Sequence, residues 1–102
     1  LLIVGPDTVA KCKDDFDWWE LDNIAVKGKE DPLRIYTPRK QTPQHDDFLE
    51  AYYSGKWDEI FTGIEVFKSA APDMSAYYDN MVSRMKEGKP YDWDGIYRAT
   101  SK

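Results

Sequence analysis

At 102 residues the chain has room for one ordinary domain, or for two half-size units sharing a core, which excludes large catalytic machinery. Aromatic residues make up 15% of it despite a mean hydropathy of -0.72, so packed cores are expected and disorder is not. A net charge of -5 with no Lys/Arg cluster excludes a generic nucleic-acid or anionic-membrane surface, and a single cysteine, Cys12, excludes an intrachain disulfide framework.

The first residues, Leu1-Leu2-Ile3-Val4, read as a buried strand with no initiator Met, so the expectation is a chain that starts inside a larger fold. Gly5-Pro6-Asp7 opens a short helix with proline in its first turn, running to about Cys12. Phe16 to Leu21 and Leu33 to Tyr36 read as strands. Val26-Lys27-Gly28-Lys29 joins them as a hairpin-like connection in which Gly28 can supply a positive φ. The polar segment Thr37 to Gln44, with two prolines, stops strand pairing and marks a boundary.

Beyond the boundary the apolar period changes from two to about 3.6. Asp46-Asp47 begins a helix with an apolar face of Phe48, Leu49, Tyr52 and Tyr53, ended by Gly55. Trp57, Ile60, Phe61, Ile64, Phe67 and Ala71 mark a second helix, stopped by Pro72. Met74, Tyr77, Tyr78, Met81, Val82 and Met85 mark a third, which ends before Gly88-Lys89-Pro90. The tail carries Trp93, Ile96 and Tyr97 and is expected to dock back onto the helices, ordered to about Thr100. The expected fold class is α+β: a small antiparallel sheet with one short helix, followed by a three-helix, tetratricopeptide-like extension. The expected division is 1–37, a linker over 38–45, and 46–102.

Glu20-Leu21-Asp22, Val26-Lys27-Gly28-Lys29 and Pro32-Leu33-Arg34-Ile35-Tyr36 together resemble the C-terminal end of the class III adenylate/guanylate cyclase catalytic domain, over roughly residues 1 to 37. Gly55-Lys56-Trp57, Pro72, Asp92-Trp93-Asp94-Gly95 and Thr100-Ser101-Lys102 follow in the order of the helical tail common in bacterial members. Each motif is short; their order and spacing carry the resemblance. It implies a parent enzyme, a phosphorus-oxygen lyase of signal transduction. That enzyme would convert ATP or GTP to a 3′,5′-cyclic nucleotide and pyrophosphate with Mg²⁺ or Mn²⁺, as a homodimer of catalytic domains.

The resemblance gives Lys27 contact with the substrate triphosphate and makes Lys29 a candidate second contact. An ammonium on a flexible stem suits a polyphosphate whose geometry changes as pyrophosphate leaves. On residue chemistry alone, the same lysines are solvated turn residues that keep a hairpin edge soluble. The metal ligands, the base-reading pair and the transition-state Asn/Arg pair of the family all correspond to sequence upstream of Leu1. The 102 residues are therefore expected to hold no catalytic residue and no metal, and to be inactive alone.

Other constellations have plainer explanations. Asp14, Asp15 and Asp17 read as a solvated loop, since no glycine-bearing calcium-loop spacing accompanies them. His45, the only histidine, has no second zinc-type ligand nearby and reads as a residue flanking a helix N-terminus. Cys12 reads as a packed thiol. Helix, Gly-Lys-Trp, helix, Ala-Ala-Pro-Asp, helix resembles about one and a half tetratricopeptide units. The alternative function is accordingly a protein-interaction or regulatory module. With no signal peptide, no apolar run of about 18 residues and one cysteine, a cytoplasmic, non-inserted segment is expected, with a membrane anchor upstream compatible.

Overall fold

The structure, a computed structural model, describes residues 2–25 and 31–98. The chain divides into two compact units: residues up to Gln41 together with the returning segment that begins at Ile96, and Thr42–Gly95. The fold class is α+β, with a small sheet and a helical C-terminal part.

In the first unit, helix α1 (Pro6–Cys12) starts at Gly5 with proline in its first turn, where the missing N–H costs no intrahelical bond. It packs beside strand β2. Strand β1 (Trp18–Ala25) pairs antiparallel with β2 (Leu33–Pro38), from Trp18 opposite Pro38 to Ile24 opposite Leu33. The register shifts between Glu20 and Asp22, so Leu21 is the extra residue of a bulge. That shift breaks the in-out alternation and buries Leu21 and Asp22 consecutively. Trp19, fully buried, anchors this unit's core and carries the Arg39 guanidinium 5.0 Å above its ring.

The sheet is mixed, which corrects the antiparallel expectation in detail. A third strand, β3 (Tyr97–Arg98), lies parallel to β1, with Ile24 opposite Tyr97 and Ala25 opposite Arg98, giving the order β2-β1-β3. Its residues come from the tail, where two positions are too few for any periodicity. The expected N-terminal strand reduces to one antiparallel bridge, in which Val4 and Tyr36 exchange two hydrogen bonds of 2.9 Å. Leu2 and Ile3 are exposed, and Phe16, placed in a strand by its sequence, lies outside β1 and stacks edge-on against Trp18.

The second unit contains α2 (Pro43–Ser54), α3 (Trp57–Ala70), a 3₁₀ turn (Pro72–Met74) and α4 (Ser75–Lys86). Helix α2 starts at Pro43 and not at Asp46, because Thr42 caps it: its Oγ1 accepts the His45 N–H at 3.1 Å. Part of the expected linker is therefore helical. Gly55 ends α2 in the left-handed region at φ 84°, as the sequence suggested. The periodic positions form the core: Phe48, Leu49, Tyr52, Ile60, Phe67, Tyr78, Met81 and Met85 are all buried. Full burial of one such side chain contributes about 1.5–3 kcal/mol. Phe48 sits at the centre, with ring contacts to Tyr78 at 5.0 Å, Phe67 at 5.5 Å and His45 at 5.4 Å.

Candidate functional site

The described ends of the hairpin are Ala25 and Leu33, and the last antiparallel pair is Ile24 with Leu33. Lys27 and Lys29, the two phosphate-contact candidates, lie in the sequence that joins these strands and outside the described residues.

The polar groups on the hairpin itself are engaged in holding it. Arg34 donates to Glu20 Oε2 at 2.6 Å, an ion pair between neighbouring strands in which Glu20 is the better buried partner. The Glu20 N–H donates to Gln41 Oε1 at 2.8 Å, and the buried Asp22 carboxylate accepts the Asn23 N–H at 2.7 Å. Partial burial, aided by the Glu20 negative charge and opposed by Arg34, raises the Tyr36 phenol above its ordinary value of 10.0.

The remaining candidates are placed as follows. Asp14, Asp15 and Asp17 are exposed between α1 and β1. Among the described residues, no group of three or more His, Cys, Asp or Glu side chains converges. Cys12 is a free thiol of intermediate burial at the end of α1. His45 is corrected: it does not flank the helix but belongs to α2, fully buried, with Nδ1 2.8 Å from the Tyr78 hydroxyl. A lone histidine gives no sign of this, because its partner stands on another helix.

In the helical unit, two motifs noted only for their order converge on the C-terminus of α2. The indole N–H groups of Trp57 and Trp93 both donate to the Tyr52 carbonyl at 3.0 Å, and Trp93 also reaches the Tyr53 carbonyl at 3.2 Å. Lys89 Nζ donates to the Gly55 carbonyl at 2.9 Å, and the Lys56 N–H to that of Ala51 at 2.8 Å. The last carbonyls of a helix lack intrahelical donors, so these side chains satisfy a need inherent to α2. The clue in the sequence is a tryptophan two residues from a glycine in each motif, Gly55-Lys56-Trp57 and Trp93-Asp94-Gly95, since an indole N–H usually finds an acceptor when buried. Next to them a cleft of about 430 Å³ is lined by Lys56, Trp57, Phe61, Met85 and Lys89 among others. It offers apolar walls, the ammonium groups of Lys56 and Lys89, and the carboxylates of Asp58 and Glu59.

No helix among the described residues is long and apolar enough to cross a membrane. In comparison with known proteins, no family model, no curated protein and no solved structure matches the chain.

Proposed function

We propose that residues 1–37 are the closing segment of a class III nucleotide cyclase catalytic domain, and that the helical unit is its C-terminal extension. The observation that supports this reading is the antiparallel pairing of β1 with β2, from Trp18 with Pro38 to Ile24 with Leu33; the sequence between these strands carries Val26-Lys27-Gly28-Lys29. In the parent enzyme the 3′-oxygen of ATP or GTP forms a bond to the α-phosphorus while the bond to the departing pyrophosphate breaks. Negative charge grows on the phosphate oxygens, and Lys27 supplies a positive charge that follows it, with Lys29 as second contact. Two Mg²⁺ or Mn²⁺ ions, when bound, supply further charge neutralisation; in this reading their ligands precede Leu1. The chain alone is then inactive, the parent acts as a homodimer in cytoplasmic signal transduction, and the substrate base is read elsewhere.

The test is cyclic-nucleotide formation from ATP and from GTP with Mn²⁺, by protein extended upstream of Leu1 and carrying Lys27 or Lys27→Ala. The expected loss is about tenfold or more, equal to about 1.4 kcal/mol of transition-state stabilisation. An inactive wild-type dimer would overturn the cyclase reading. The alternative, a tetratricopeptide-like interaction or regulatory module, draws support from the apolar walls of the cleft beside Trp57, Phe61 and Met85. Capture of a peptide segment by the helical unit, lost in Phe61→Asp, would favour that alternative.

A further inference from the structure

The chain has seven tyrosines, and the fold treats one of them unlike the rest. Tyr52 and Tyr78 are buried with their hydroxyls engaged: Arg84 donates to the first at 2.8 Å, and His45 Nδ1 lies 2.8 Å from the second. Tyr36, Tyr53, Tyr77 and Tyr97 are half-buried. Tyr91 keeps 101% of its reference surface in contact with solvent, so its ring supports no part of the helical unit.

The main chain around Tyr91 is as accessible as its side chain. Helix α4 ends at Lys86, and residues 87–92 form an unbroken exposed run outside any helix or strand. The Trp93 N–H donates to the Pro90 carbonyl at 3.1 Å, closing a turn that has Tyr91 and Asp92 at its two central positions. Both sides of this turn are tied down within the helical unit. Lys89 Nζ donates to the Gly55 carbonyl at 2.9 Å, and the Trp93 indole donates to the Tyr52 carbonyl at 3.0 Å while its ring meets Trp57 at 5.0 Å. An enzyme acting on a protein side chain has to take in that side chain together with its flanking backbone. At a half-buried tyrosine this requires local opening first, which costs free energy. At Tyr91 it requires none, and the anchors on either side leave the core undisturbed when the turn is engaged.

We propose that Tyr91 is a modification site, the acceptor of a phosphoryl group delivered by a protein-tyrosine kinase from a nucleoside triphosphate. The phenolic oxygen forms a bond to the γ-phosphorus as the bond to the departing nucleoside diphosphate breaks, and the phenolic proton passes to the kinase's base. The product is a phosphotyrosine carrying a charge of about −1.5 to −2 at pH 7, beside the exposed carboxylates of Asp92 and Asp94. Such a group is recognised by arginine clusters through paired, charge-assisted hydrogen bonds. The site goes beyond the cyclase reading and does not depend on it.

The experiment is incubation of the folded 102-residue chain with a broad-specificity tyrosine kinase and Mg²⁺-ATP, with the modified positions mapped and timed by mass spectrometry. Phosphate is expected at Tyr91 about tenfold faster than at any other tyrosine, because the others wait on local opening. Tyr91→Phe should remove most of the incorporation. That variant gives up no packing, so its urea midpoint should match that of the parent chain. Equal or faster labelling of Tyr53 or Tyr77 would overturn the proposal, as would a folded chain left unmodified at Tyr91. A fall in the urea midpoint of Tyr91→Phe would overturn it too, by showing that the ring belongs to the fold.

Discussion

Nδ1 of His45 lies 2.8 Å from the hydroxyl of Tyr78, and neither residue has any exposed surface. The bond joins the first turn of α2 to the first turn of α4 inside an aromatic core, where a broken polar contact cannot be repaired by water. Tyr78→Phe removes the hydroxyl and keeps the ring, so it isolates the hydrogen bond from the packing. The expected cost is about 1–3 kcal/mol, read as a lower urea midpoint at an unchanged slope.

Phe48 provides the contrasting case, in which packing alone is at stake. It is fully buried and touches the rings of His45, Phe67 and Tyr78. Phe48→Ala is expected to cost about 3–5 kcal/mol. Against a total of about 5–15 kcal/mol for a domain of ordinary stability, that is a large share. A loss under about 1 kcal/mol by urea denaturation would show that the second unit does not depend on this cluster.

Gly55 combines a left-handed backbone with a crowded site. At φ 84°, an added Cβ would sit 3.2 Å from Trp93 Cδ1 and 3.3 Å from Lys89 Nζ. Gly55→Ala is therefore expected to destabilise by about 1–2 kcal/mol from the backbone term. The melting temperature should fall by roughly 4–8 °C per kcal/mol. Gly88→Ala meets nothing within 4 Å, but its φ of 123° lies outside the left-handed well, so it too is expected to destabilise, through the backbone alone.

Tyr36 predicts a pH dependence on the alkaline side. Desolvation, with the Glu20 charge, raises its folded value above the ordinary 10.0. Below that ordinary value both states hold the proton and the residue contributes no slope. Above it the unfolded chain releases the proton first, so stability falls as pH rises through 10 toward the folded value. Tyr36→Phe should shallow this decline, seen by comparing urea midpoints near pH 8 with those near pH 11. An unchanged alkaline slope would show that Tyr36 is not its source.

The helices were legible because each repeats its apolar residues every three or four positions, and that pattern is local. Phe48, Tyr52, Ile60, Phe67, Tyr78, Met81 and Met85 are buried where the period put them. The start of α2 has a local signal too: Thr42 followed by Pro43 is a cap and a first-turn proline, three residues ahead of the acidic pair Asp46-Asp47 that marks the expected start. The hairpin strands were legible in type but not in extent. A bulge at Leu21 puts two consecutive residues inward, which alternation alone does not foresee.

By itself, the sequence determined the α+β class, the four described α-helices to within a few residues, and the existence of β1 and β2, because helix period, strand alternation and turn chemistry act between near neighbours. The phosphate-contact proposal for Lys27 and Lys29 also rests on sequence alone. Only the tertiary structure decided that Tyr97 and Arg98 form a parallel strand on β1, that His45 meets Tyr78, and that Trp57 and Trp93 share the Tyr52 carbonyl. A donor buried in one segment is satisfied by whichever acceptor folding brings to it, and neither partner carries a local mark of the other.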